Sequence, residues 1–257
     1  MLTLLLVASR VVGAQIPVPT PPPTPTPLPV ALSLVLPESL PPFERPNGAL
    51  LRPGTLRYQL SLRTPNGQSV PLGARTVVVT DSAIGGAVGW LIAESRTGTV
   101  VETTDSVYAA RGDLTPARWT ATIGRAQFAA SFTRDSMFGA FQGYQGRSSF
   151  ALPVPAGALL SAGMVERIAE LLPLRVGYRA GAALVLVDGA GPRAVPAELV
   201  VDRIARVDAS GGAVDCWVLS LRAGAVEERL WISVQGTRVV RTEQATVQGT
   251  LIAELLP

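Results

Sequence analysis

Carboxylates carry most of the chemistry this chain has to offer, because the bases that usually work beside them are missing. All 22 basic residues are arginine, with no lysine and no histidine. Without histidine there is no Ser-His or Cys-His pair, no imidazole metal ligand and no side chain that titrates near neutrality by default. Without lysine there is no Schiff base and no phosphate-loop lysine. Asp81-Ser82 follows three valines as an aspartic-protease carboxylate would, but Ala83 stands where that loop needs glycine, and no second copy occurs to share a proton. Glu227 and Glu228 diverge on a strand and are expected to be solvated charges. Asp202, Asp208 and Asp215 fall on neighbouring strands but lack an Asp-x-Asp-x-Asp-Gly calcium loop, so no metal is expected. The lone Cys216 lies in the strand-like run Val214-Asp215-Cys216-Trp217-Val218 and is expected to be a buried small hydrophobe. Arg111-Gly112-Asp113 has the spelling of an adhesion triplet and the composition of a turn. Gly189-Ala190-Gly191 precedes Pro192 instead of a helix, so a dinucleotide fingerprint fails. No catalytic residue and no cofactor are expected. A carboxylate-dependent hydrolase, the remaining enzymatic reading, would need two carboxylates about 5–9.5 Å apart in an open cleft.

The apolar residues form a stronger pattern. Phe128, Phe132, Met137, Phe138 and Phe141 collect in one stretch, and Trp90, Trp119, Trp217 and Trp231 are spread over others. In a curled sheet they would line the concave side. Trp90, Phe128, Phe132, Phe138, Trp231 and two helix residues, Met164 and Ile168, are therefore the candidate walls of a site for a lipid or other hydrophobic ligand. The same residues would equally make an ordinary filled core.

The elements that must position them are mostly strands. In Leu56 to Arg63, Leu56, Tyr58, Leu60 and Leu62 share one face, and Pro65-Asn66-Gly67 turns the chain. Alternating runs follow at 75–80, 90–96, 100–109, 118–123, 127–133 and 147–152, with breaks at Arg134-Asp135-Ser136 and at Gly143 to Gly146. Ser161 is placed to cap a helix from Ala162 to Leu172, with Met164, Ile168, Leu171 and Leu172 on one face and Pro173 ending it. The polar side of that helix is short: Glu166, Arg167 and Glu170. Strands resume at 183–187, 197–207, 214–221, 228–234, 238–242 and 246–254, joined by turns at Gly189 to Pro192 and at Ser210-Gly211-Gly212. The fold class is mainly β: a curled antiparallel sheet, an open half-barrel of about eleven strands, with one or two helices packed on its concave face.

Residues 1–14 read as a signal peptide, with Val12-Gly13-Ala14 placing small side chains before a cut near Ala14. Leu2 to Ala14 is far short of the ~20 residues of a membrane span, so no transmembrane span is expected in the mature chain. Residues 15–46 are a proline-rich spacer, including Pro21-Pro22-Pro23-Thr24-Pro25-Thr26-Pro27, and residues 47–257 are one domain. Export to the periplasm or outside the cell follows. Net charge is only +3, the arginines are scattered and aromatic residues make up 5%, so nucleic acid is not an expected partner.

The order of elements also carries a resemblance. Asp105-Ser106-Val107-Tyr108, the turn Asp113-Leu114-Thr115-Pro116 and the helix before Leu172-Pro173-Leu174-Arg175-Val176-Gly177-Tyr178 come first. Gly212 to Val218, Leu230-Trp231-Ile232 and Arg238 to Glu243 follow. Together they resemble an uncharacterised family of bacterial periplasmic domains whose half-barrel is similar to that of the lipoprotein carriers LolA and LolB, over about Leu56 to Val247. The resemblance implies an open antiparallel barrel with a helix plugging its concave face and an acyl-chain site, and it carries over no functional residue. Two readings stand: a non-catalytic envelope protein that binds a lipid or hydrophobic ligand, with arginines at the rim meeting an anionic head group, or a structural module with a filled core that contacts an envelope protein.

Overall fold

The computed structural model describes residues 40–99, 101–144, 146–155, 158–160, 163–188, 191–209 and 212–257. The signal, its cut near Ala14, most of the proline-rich spacer, the Ser161 cap with Ala162, and parts of the 189–192 and 210–212 turns lie outside them. The first half contributes β1 (Gly54–Arg63), β2 (Ser69–Ile84), β3 (Ala87–Thr97), β4 (Thr103–Ala110), β5 (Pro116–Ile123), β6 (Ala126–Phe132), β7 (Ser136–Gly143) and β8 (Gly146–Pro153). The short β9 (Leu159–Leu160) and the helix α1 (Gly163–Ala169) lead into β10 (Arg179–Asp188) and β11 (Gly191–Ala209). The chain finishes with β12 (Gly212–Ala223), β13 (Val226–Ser233), β14 (Val239–Thr246) and β15 (Gly249–Leu255).

All fifteen described strands join one sheet in the order β8-β7-β6-β5-β4-β3-β2-β1-β15-β14-β13-β12-β11-β10-β9. Every pair is antiparallel except β9–β10. The sheet is a meander whose first and last strands meet, Tyr58 opposite Leu255 and Leu60 opposite Ala253. It curls until β7 and β8 approach β11, but no ladder closes the gap, so the barrel stays open.

Alternation explains most of the inner face. Tyr58 and Leu60, Val77 and Val79, Trp90 and Ile92, Val107 and Ala109, and Phe128 and Ala130 are all buried at two-residue spacing. The expectation of about eleven strands was too low. The strand without any counterpart in the alternation is β7, because its inward phase is Met137, Gly139 and Phe141 while Phe138 points outward and is 47% exposed. A glycine inside and a phenylalanine outside hide a period of two. The two-residue β9 is too short to leave a pattern.

The described helix is shorter than expected, ending at Ala169, and it lies inside the curl with Gly163 to Ala169 all buried. Its last turn tightens, Leu171 N–H donating to Ile168 O at 2.9 Å and Leu172 N–H to Ala169 O at 3.3 Å, before Pro173 withholds the next donor. Its short polar side is buried as well: Glu166 and Arg167 are each 2% exposed. A sheet this wide cannot fill its own interior, so the helix fills it, and its charges have no exit.

One end of the curl is sealed. Phe43, Leu51, Leu114 and Ile168 pack there, and Trp90 Nε1 donates to Gly48 O at 2.9 Å. Leu114 holds a left-handed φ of 57° in the Asp113-Leu114-Thr115 turn, which Asp113 stabilises by accepting from Thr115 N–H at 3.0 Å. The Arg111-Gly112-Asp113 triplet is used up locally: Arg111 lies 4.7 Å over the Trp90 ring and pairs with Asp81, and Asp113 pairs with Arg45.

Close backbone approach on β7 makes a test. A Cβ on Gly139 would stand 2.0 Å from Ala129 O, whereas one on Gly112 meets nothing within 4 Å. Gly139→Ala should lower unfolding free energy in urea by about 1–3 kcal/mol, and Gly112→Ala should leave it within ~0.5 kcal/mol; equal effects would contradict this packing of β6 on β7.

Candidate functional site

Four strands each carry a charged residue one step further along their buried phase, always toward the same end of the sheet. Arg75 continues Val79 and Val77 on β2, Glu94 continues Trp90 and Ile92 on β3, Asp105 continues Ala109 and Val107 on β4, and Glu228 continues Ile232 and Leu230 on β13. Register brings them together: Glu94 is opposite Val77 and Asp105, and Arg75 is opposite Tyr58 and Arg96. Glu228 sits between Leu221 and Gln244.

Arg75 is the hub. Its guanidinium donates to Glu94 Oε2 at 2.7 Å through Nη2 and to Glu166 of α1 through Nη1, and it lies 5.2 Å from the centre of the Tyr58 ring. The other Glu94 oxygen accepts from Arg96 Nε at 2.7 Å. On the helix side, Arg167 bonds Glu166 at 3.3 Å and Glu170 at 3.0 Å, and Glu170 accepts the backbone N–H of Val239 at 2.7 Å. Three arginines and three glutamates therefore alternate from the sheet through the helix. Burial alone would push Glu94 up, but Arg75 and Arg96 outweigh it and hold the carboxyl down at about 2.

Near the end of the sheet where β3 passes to β4, β5 to β6 and β12 to β13 lies a cavity of about 330 Å³. Its walls are Ile123, Val165, Leu184, Leu186, Leu221 and Val226. Its polar groups are the Arg75–Glu94–Arg96 cluster, Asp105, Trp119, Glu228 and Gln244, with Asp188 and Arg193 paired at 3.1 Å toward the rim. Asp105 accepts from Trp119 Nε1 at 2.7 Å. Burial lifts its carboxyl to about 8, against that hydrogen bond and with the Glu94 charge adding to the rise. Burial, with the Glu166 charge adding, lifts Glu228 to about 7.

The seven candidate wall residues do not line this cavity, although Trp119 of the same aromatic set does. Trp90, Phe128, Met164 and Ile168 belong to one packed core, with Phe132 partly buried against it. Phe128 meets Trp119 edge-on at 4.8 Å and stacks on Phe150 at 5.5 Å. Phe138 is exposed. Trp231 is in a second, smaller cluster on the opposite face of β12–β14, with Cys216, Val218 and Val240 and with Arg241 at 5.4 Å from its ring. Burial raises the Cys216 thiol to about 11, with the neighbouring Asp215 adding to the rise. Glu227 pairs at the surface with Arg229 at 3.6 Å, but Glu228 turns inward, contrary to the expectation that both are solvated. The phase of Leu230 and Ile232 was the signal that could have placed it. Asp202 accepts from Ser220 Oγ at 3.0 Å, and among the described residues no three cysteine or acidic side chains gather as a metal cage.

No protein-family model matches the chain, and no curated protein matches it. Among solved structures it is similar to a β-barrel-like protein of a domain of unknown function (DUF1849) from Brucella abortus, with 8% identity, TM-score 0.49, and coverage of 79% of this chain and 95% of that one. It is also similar to the hypothetical lipoprotein YmcC from Escherichia coli, with 13% identity, TM-score 0.32, and coverage of 79% and 87%. An exported-protein structure with a YmcC-like fold from Bacteroides fragilis has 9% identity, TM-score 0.30, and coverage of 84% and 96%.

Raised carboxyls leave a signature in stability. Between about pH 4, where unfolded carboxyls ionise, and about 7 to 8, where Glu228 and Asp105 do so when folded, the folded chain holds protons the unfolded chain has lost. Stability should therefore fall as pH rises through that window. Glu94 acts oppositely: its contribution is present above the usual carboxylate range and is lost as pH falls toward about 2. Asp105→Asn with Glu228→Gln should lessen the decline between pH 5 and 8 in thermal melts, leaving the share of Glu170, which burial lifts to about 7, while an unchanged slope would mean these carboxyls are not held in a desolvated cavity.

Proposed function

We propose that this chain is a non-catalytic, exported binding protein that takes one amphipathic small molecule, or the end of a single acyl chain, into the open end of its half-barrel. The observation that carries the reading is the cavity of about 330 Å³ with aliphatic walls and a polar floor. Its size is at the lower end of the roughly 300–1,000 Å³ typical of small-molecule sites, which suits one chain and not a bundle of them. Each methylene buried against Leu184, Leu186 and Leu221 would contribute ~0.8 kcal/mol. Export rests on the apolar leader and the small residues before Gln15.

Binding is favoured over catalysis by the state of Glu94. It is the ionised carboxylate beside Asp105, and both its oxygens are already engaged by arginines, so neither is free to attack or to take a proton. The alternative, a structural module for an envelope partner, draws support from the seven apolar residues: five of them pack in or against the main core and none lines this cavity. The cavity towards the other end is what tips the balance.

Trp119 lines the cavity while Trp90, Trp217 and Trp231 do not, so its fluorescence reports occupancy. A neutral apolar probe such as N-phenyl-1-naphthylamine should bind and shift Trp119 emission. Val226→Trp, which fills the mouth, should weaken binding by about tenfold. A probe that fails to bind, or that binds equally to the filled variant, would leave the structural-module reading ahead.

A further inference from the structure

Charge accounting within the cavity shows what is left over. Arg75 is shared between Glu94 and Glu166, Arg96 is held by Glu94, and Arg193 pairs with Asp188. Every arginine of the lining thus already faces a carboxylate. Among the described residues, Asp105 has only the Trp119 indole as a hydrogen-bond partner, and Glu228 has neither a hydrogen bond nor an ion pair. Glu228 is half-buried and lines the cavity. Glu94, Glu166 and Asp188 balance the three arginines of the lining, which leaves Asp105 and Glu228 as acids whose ionised forms have no cation of their own.

A half-buried carboxylate with no cation beside it is unfavourable, and a ligand that brings the counter-charge relieves it. An anionic head group would meet no free cation here. It would instead meet Asp105, Glu228 and the Glu94 oxygens, so the expectation of rim arginines gripping an anionic head group is replaced. An ammonium has the three donors these acceptors want, and an aliphatic tail on it would lie against Leu184, Leu186 and Leu221.

On the reading that the cavity binds a small amphiphile, we infer that its ligand is a cationic one, a protonated amine on an aliphatic body, whose nitrogen is received by Asp105 and Glu228. The site combines one charge-selective end with one length-selective wall. Gln244 and the Trp119 indole complete the polar end.

The test is titration calorimetry of the full chain at neutral pH with octylammonium, 1-octanol and octanoate, which share a tail and differ in charge. Octylammonium should bind at least about tenfold more tightly than 1-octanol, with octanoate the weakest of the three. In the Asp105→Asn, Glu228→Gln double variant that preference should vanish, the amine and the alcohol then binding within about twofold of each other. Melting curves of both proteins check folding, and the wild-type series stands without the variant. Equal binding of amine and alcohol by the wild-type chain would overturn the cationic assignment and keep the cavity reading. Tighter binding of octanoate, or an amine preference that survives the double substitution, would overturn the assignment as well. Failure of all three to bind would overturn the cavity reading and this inference together.

Discussion

The interior of this half-barrel is organised by one guanidinium. Arg75 joins a strand of the sheet to the helix inside it, and everything near it is a consequence of keeping that charge company in a place water does not reach. Glu94 and Glu166 neutralise it, Arg96 and Arg167 answer their second oxygens, and Glu170 closes the series onto the backbone of β14. Removing one member of such a buried set typically costs 3–5 kcal/mol because the partner is left uncompensated. The helix is thereby held in one position and depth, which apolar packing of a seven-residue segment would not specify by itself.

Fixing the helix also fixes what it does not fill. Toward one end Ile168 packs with Leu114 and Phe43 in the apolar core. Toward the other end lies Gly163, the first described residue of α1, whose missing side chain leaves room for the Glu94 carboxylate, a Cβ there lying 3.1 Å from its Oε2. Toward that end the inward positions of the strands turn from Val, Ile and Trp to Arg, Glu and Asp. The cavity and its charge are thus two results of one geometric fact.

The strand pattern was legible where large apolar residues alternate, as in Tyr58 and Leu60 or Phe128 and Ala130. It was lost in β7, where Gly139 takes an inward position and Phe138 an outward one. The site was less legible because sequence reasoning gives charged residues to solvent by default. Glu166, Arg167, Glu228 and Asp105 all break that default, and each does so in phase with buried neighbours. Period two, followed past the last apolar residue instead of stopping at it, marks Arg75, Glu94, Asp105 and Glu228 alike. The large aromatic residues were misleading for the opposite reason: a well-packed core consumes them, so Phe128 and Trp90 measure how full the closed end is. Trp231 was legible by the same rule: it alternates with Leu230 and Ile232, so the phase that turns those two inward puts it on the other face.

The central claim, that an ion-paired helix leaves two uncompensated carboxyls facing a cavity, is tested most directly by carboxyl-carbon NMR titration of the aspartate and glutamate side chains. The account predicts Glu94 titrating near about 2, Glu228 near about 7 and Asp105 near about 8. Midpoints for Asp105 and Glu228 near the ordinary carboxylate value of about 4 would contradict it, since both groups would then be solvated and the cavity would be no more than a wet cleft.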